Sequence, residues 1–189
     1  MPLSLILGCM FSGKTTELLR RIELEEIIGR DVIVINHLHD ASRSGDGYVE
    51  THSGKSRKCL MLSSLSQLKE TMPDLFTSPV KKVIAINEGQ FFSDLESVVM
   101  ELVESYDHIV IVCGLDSDFN RDPFMEIIRL IPHANDVMRT TARCDVCRDG
   151  TDAHYTFRKK RGAERVQVGG SDLYRPVCRK CYHLLQTVS

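Results

Sequence analysis

The chain has 189 residues, of which 42% are hydrophobic, and a net charge of -2 from 24 Lys and Arg against 26 Asp and Glu. That is enough apolar material for one medium domain, or one domain with a small appendage, around a real core. It excludes nucleic-acid binding by bulk charge, which needs a strongly basic domain, and no apolar run reaches the roughly 18 residues of a membrane span. The opening MPLSLILGCMFSGK has neither a basic leader nor a small-residue cleavage site, so a soluble cytoplasmic protein is expected.

Residues 3–7 form a short apolar run closed by Gly8, which predicts a strand. Over residues 15–28 the pattern turns helical, with Leu18, Leu19 and Ile22 on one face and Gly29 as the stop. Continuous Val/Ile runs at 32–35, 83–86 and 109–112 read as parallel strands covered on both faces. Helical segments are predicted at 65–72 and 94–105. Strands alternating with helices give an α/β fold, a P-loop-type parallel sheet with helices on both faces. Residues 41–58 are polar and rich in Gly and Ser, and are expected to be a mobile loop. Near Thr140 the long apolar runs give way to cysteine pairs, short basic runs and Gly169-Gly170. The chain is therefore divided into a nucleotide-binding domain, 1–139, and a small C-terminal domain, 140–189.

Gly8-Cys9-Met10-Phe11-Ser12-Gly13-Lys14-Thr15 fits GxxxxGK[ST] between a predicted strand and a predicted helix. Glycines let the backbone turn tightly and aim successive N–H groups inward, an anion nest at a helix N-terminus. Lys14 would reach the β- and γ-phosphates and the Thr15 hydroxyl would ligate Mg²⁺. A nucleoside triphosphate such as ATP is the implied ligand.

A second group for the metal commonly comes from the end of a neighbouring strand, as an Asp. VIAINEGQFF, residues 83–92, offers Asn87 and then Glu88 at the carboxyl edge where ligands bind. Asn87 can orient a metal-bound water but brings no charge. Glu88 suits a general base near the γ-phosphate, or is an exposed acid after a core strand.

Of seven cysteines, Cys9, Cys59 and Cys113 stand alone, while Cys144, Cys147, Cys178 and Cys181 form two CxxC pairs. Four thiolates in two knuckles suit a closed, structural Zn²⁺ site with no open position for substrate. The long gap between the pairs is expected to hold a hairpin made of 156–161 and 166–168 around Gly162. The basic run Arg158-Lys159-Lys160-Arg161 reads as a solvated loop or as a nucleic-acid contact.

GCMFSGKT, NEGQFF, LDSDFNRDPF (115–124) and VGGSDLYRPVCRKCY (168–182) together resemble the type II, cytosolic and viral-type, thymidine kinases over nearly the whole chain. The resemblance implies transfer of the ATP γ-phosphoryl to the 5′-hydroxyl of thymidine or deoxyuridine. It places the phosphates on residues 8–15, with Asn87 and Gln90 beside them, and makes Glu88 the base. Phe119 would pack against the nucleobase, and Met10, Leu115, Phe124 and Thr156 would line its pocket. Arg165, Val166, Gln167, Val168 and Gly169 would form a lasso whose backbone reads the thymine edge, braced by Tyr174, with zinc tying the ends of the lasso. A homotetramer and feedback by thymidine triphosphate are implied as well, while charge and hydropathy lead to the expectation of no membrane or nucleic-acid partner. This chain departs from the family at Asn87, where Asp is usual and whose loss is expected to weaken Mg²⁺ binding. Cys9 replaces a Pro, Gln167 an apolar residue, and the family's Asp-x-Arg is one residue longer here, as Asp40-Ala41-Ser42-Arg43, with Asp40 and Arg43 assigned to substrate and phosphate contacts.

Overall fold

The computed structural model describes residues 2–40, 47–51, 54–160 and 164–188. Six strands make one parallel sheet: β1 (Leu3–Gly8), β2 (Val32–His37), β5 (Leu60–Leu62), β6 (Val83–Ile86), β7 (Ile109–Gly114) and β8 (Asp136–Thr140), in the order β5-β2-β6-β7-β1-β8. β1 lies between β7 and β8, with Leu5 opposite both Val112 and Val137. Every residue of β1, β6 and β7 is buried, as continuous Val/Ile runs predict for strands covered on both faces.

One face packs α1 (Lys14–Ile27) through Leu18, Leu19 and Ile22 onto Val34, Ala85 and Ile111. The other face buries Leu5, Ile35, Ile84 and Val110 under α2 (Leu68–Thr71), α3 (Leu95–Met100, continued by a π-helical turn at Glu101–Ser105) and α4 (Met125–Ile128). The 65–72 prediction resolves into a 3-10 turn, Leu65–Gln67, running into α2. No helix among the described residues is long and apolar enough to cross a membrane.

Two expectations are corrected. The stretch 41–58 is not all loop: β3 (Tyr48–Glu50) and β4 (Ser56–Lys58) pair antiparallel, because Val49 alternates inward into the α1 face of the core between exposed Tyr48 and Glu50. The hairpin placed at 156–161 and 166–168 is instead β11 (Tyr155–Arg158) against β12 (Tyr174–Val177), with Thr156 opposite Pro176. Covering the cysteine cluster needs the buried side chain of Val177, whereas Val168 stands in the open. Arg161 and Gly162 lie outside the described residues. β9 (Ala142–Arg143), β10 (Asp152–Ala153) and α5 (Arg179–Val188) complete this part, around a third core of Ala142, Ala153, Phe157, Val177, Tyr182 and the sulfurs.

Candidate active site

The phosphate cradle is the turn from β1 into α1. At Gly8, with φ +148°, a Cβ would come within 2.5 Å of the Thr140 carbonyl oxygen, so only glycine lets β8 close against the loop. Ser12 Oγ donates to the Cys9 carbonyl at 2.8 Å, and Lys14 Nζ reaches the same oxygen at 2.7 Å. No side chain caps the start of α1, which leaves its first N–H groups for an anion.

The cradle also leans on residues far along the chain. Met10 N donates to Thr156 Oγ1 at 3.0 Å, the Cys9 thiol meets the Ala153 carbonyl at 3.4 Å, and Ser12 Oγ lies 2.7 Å from Thr140 Oγ1. Cys9 accordingly belongs to the core of the cysteine region. Burial pushes the three isolated thiols up, Cys59 to about 11 and Cys113 to about 12, so they serve as small apolar side chains.

At the end of β6, Asn87 continues the ladder, its N–H bonded to the Ile35 carbonyl at 2.8 Å. Glu88 then takes a left-handed conformation, φ 52° and ψ 40°, which costs a non-glycine residue about 1 kcal/mol or more. That turn directs the carboxylate into the same cavity that Lys14 and Thr15 line. Gln90 is buried rather than in the cavity: its Nε2 donates to Glu88 Oε2 at 2.6 Å, and its Oε1 accepts from Leu115 N at 2.9 Å. It braces the acid against the end of β7. A Cβ at Gly114 would sit 2.3 Å from Gln90 Oε1 and 2.8 Å from Ile127. Gly114→Ala is therefore expected to displace Gln90 and lower kcat by about tenfold or more, read on protein whose urea midpoint, lowered in its turn by the crowding of Ile127, still shows it folded.

The far wall is the lasso. Arg165, Val166, Gln167, Val168 and Gly169 line the cavity together with Met10, Leu115, Phe119, Phe124, Thr156 and Tyr174. Tyr174 Oη donates to the Gln167 carbonyl at 2.8 Å. Arg165 Nε meets Asp118 Oδ2 at 3.0 Å, its Nη2 donates to the Pro123 carbonyl at 2.7 Å, and its guanidinium lies 4.7 Å from the centre of the Phe124 ring. The Phe119 ring is backed at 3.9 Å by Arg158, whose Nη1 also bonds the Glu164 carbonyl. Arg158, first of the basic run, is thus buried behind an aromatic instead of solvated.

The four paired cysteines converge, all Sγ atoms lying within 4.8 Å of one another. Cys147 Sγ is 3.7 Å from Cys178 Sγ and 3.4 Å from Cys181 Sγ, near the roughly 3.8 Å edge of a tetrahedron with ~2.3 Å Zn–S bonds. Burial opposes ionisation of Cys144, but backbone N–H groups of Cys147, Cys178 and Val146 outweigh it and bring that thiol to about 6. Bonding to the Cys147 sulfur pushes Cys181 the other way. A divalent cation is what would let all four ionise together, and the donor set fits zinc.

A family profile described as thymidine kinase matches residues 1–182. Thymidine kinase of Oryza sativa subsp. japonica is 40% identical over 178 residues, which are 94% of this chain and 64% of the rice protein. Thymidine kinase a of Arabidopsis thaliana is 40% identical, with 94% and 73% of the two chains covered, and thymidine kinase of Vaccinia virus (strain Western Reserve) is 37% identical, with 95% and 96% covered. This chain belongs to the thymidine kinase family. It spans just under two thirds of the rice relative's length and nearly all of the viral one's.

Within this thymidine kinase fold, most residues singled out in the sequence meet in one cavity: Met10 through Thr15, Asp40, Glu88 and the whole lasso and base-pocket set. Gly8 and Cys9 shape the cradle from behind, and Asn87 and Gln90 stand behind Glu88; none of these four lines the cavity. Arg43 lies outside the described residues. Sequence reading missed Asn36, which sits behind the cavity, and missed His39, Glu50, Phe91, Ser117 and Asp118, which line it. It also missed Arg158 as the partner of Phe119. Asp118 had a local signal: Asn120 N and Asp122 N both donate to its Oδ1, the Asx turn that D-F-N-R-D favours.

Proposed function

We propose that this protein transfers the γ-phosphoryl group of ATP to the 5′-hydroxyl of thymidine, and of deoxyuridine. The observation that carries the reading is that one cavity runs from the phosphate cradle at Lys14 and Thr15, past Glu88, to the lasso and Phe119. Phosphoryl transfer asks for positioning and charge neutralisation more than covalent help. The cradle N–H groups and Lys14 take the phosphates. Glu88, fixed by Gln90, accepts the 5′-hydroxyl proton. The base lies between Phe119 and the lasso carbonyl and N–H groups, a backbone readout that tolerates Gln167. Thr15, Asp40 and Glu88 offer the hard oxygen donors that Mg²⁺ takes, and the ion would neutralise charge on the β- and γ-phosphates.

In this reading residues 1–139 hold the nucleotide, and 140–189, with structural zinc, close the nucleoside pocket against Met10, Leu115, Phe119 and Phe124. The continuity of the cavity also supports feedback by thymidine triphosphate, base in the lasso and phosphates on the cradle. Exposed Val137 and Met138 on edge strand β8, with Leu24 and Ile27 on α1 and Ile28 just past its end, offer apolar surface for the homotetramer. The test is ATP-dependent phosphorylation of thymidine by zinc-loaded protein with Mg²⁺. Turnover of thymidine and deoxyuridine, and no salt-dependent DNA binding, is the expected result; folded protein that turns over no pyrimidine deoxynucleoside overturns the reading.

A further inference from the structure

Two neighbouring strands carry the same dipeptide, Ile-Asn, at or just past their carboxyl ends. Ile35 of β2 pairs with Ile86 of β6, so Asn36 and Asn87 follow side by side at the carboxyl edge of the sheet. Both are buried, Asn87 to 1% exposure.

The orientation of the Asn36 amide is fixed from both ends. The His37 backbone N–H, which can only donate, bonds Asn36 Oδ1 at 3.0 Å. The Asp40 carboxylate, an acceptor when ionised, takes Asn36 Nδ2 through Oδ2 at 3.0 Å. The same Asn36 Oδ1 must then be met by a donor from its other neighbour, and Asn87 Nδ2 supplies it at 3.0 Å. The chain of bonds runs Asn87 to Asn36 to Asp40, and only Asp40 of the three lines the cavity. Asn87 Oδ1 meets no hydrogen-bond partner among the described residues, so its amide is held by the nitrogen alone.

We propose that Asn36 and Asn87 are a matched amide pair that aims the Asp40 carboxylate into the cavity, where Asp40, rather than Asn87, contributes the negative charge that holds magnesium with the nucleotide. Asn87 is then a positioning residue acting through Asn36. An aspartate at 87 would not repair the site. Its ionised oxygen would face Asn36 Oδ1, acceptor against acceptor, in a place closed to water. Relief requires either that the new carboxyl take up a proton, which forfeits the charge it was to supply, or that the Asn36 amide turn, which abandons both the His37 N–H and Asp40. The proposal rests on the Mg-ATP reading above and is independent of which nucleoside is the acceptor.

The test is calorimetric titration of the zinc-loaded protein with ATP, with and without Mg²⁺, taking the ratio of the two affinities. Thymidine is left out, so failure to phosphorylate thymidine would sink the functional reading while leaving this ratio measurable. Asp40→Asn keeps an oxygen for Asn36 Nδ2 but removes the charge, and is expected to cut the ratio by about tenfold. Asn87→Asp is expected to cut it as well. In the Asp40→Asn background, Asn87→Asp should change it no further, the non-additivity of residues acting through one another. A higher ratio in Asn87→Asp overturns the proposal, because Asn87 would then occupy a metal position. So does an equal extra loss in the double variant, or an unchanged ratio in Asp40→Asn. Urea midpoints report folding separately, and if Asn87→Asp does not fold, the Asp40→Asn ratio decides alone.

Discussion

Glu88→Gln is expected to lower kcat by on the order of 10² to 10⁴ while leaving the KM for ATP and for thymidine within a few-fold. Glutamine has the same shape, and one of its ends can still meet Gln90, so the left-handed turn at position 88 and the brace behind it survive. What goes is the basicity. In the proposed reaction the 5′-hydroxyl loses its proton as the phosphorus–oxygen bond forms, and Glu88 is the cavity acid held by a bond of 2.6 Å from the buried Gln90 amide, itself fixed to the end of β7. Steady-state kinetics on the folded variant, with ATP binding measured separately, checks this. A kcat within tenfold of the unmodified enzyme would move the base elsewhere, with Asp40, Glu50 and Asp118 the remaining cavity acids to examine.

The second large effect concerns the zinc proposed for the four cysteines. Chelating the metal, or replacing Cys144 with serine, is expected to abolish thymidine binding and also to weaken ATP binding by about tenfold or more. A structural zinc contributes folding free energy of ~10 kcal/mol or more in small domains, so residues 142–182 should lose their packing without it. The lasso goes first, since β12 and the sulfurs anchor its far end. The cradle suffers as well, because Met10 N rests on Thr156, Cys9 on Ala153 and Ser12 on Thr140. Separate titrations with ATP and with thymidine before and after chelation, followed by zinc replacement, give the answer. If ATP affinity is untouched when thymidine affinity is gone, the three contacts do not support the cradle.

Local chemistry was legible in the sequence where it is carried by adjacent residues. The cradle is one continuous octapeptide, the sulfurs sit in two knuckles, and runs such as 109–112 state their burial outright. What escaped reading is long-range or one-sided. β8 has a mixed pattern because it is an edge strand whose middle residues Val137, Met138 and Arg139 are exposed, so it lacks the run that marks a buried strand. Gln90 reads as a phosphate neighbour from its place beside Glu88, yet its role is decided by Leu115 and Gly114, on a different strand. Asn87 reads as a lost acid until Asn36, 51 positions earlier, shows what its amide is for. The hairpin partner of β11 was misassigned because Val-Gln-Val alternates as a strand should, while the segment that covers the sulfurs, Tyr-Arg-Pro-Val, contains a proline and a charge.

The strand order also sets a timetable for synthesis. β1, which carries the cradle, is the first strand to leave the ribosome, but its two neighbours are β7 and β8, the last two of the sheet. Leu5 waits for Val112 and then for Val137 before it is flanked on both sides. Until then the segment is an apolar strand with both edges open, the kind of edge that pairs with the wrong partner. Pairings this distant in sequence form slowly, and the phosphate loop can take its shape only after Thr140 has been added. The nascent sheet therefore has no complete phosphate loop until β8 is made, and the first of its strands to be synthesised is among the last to be protected.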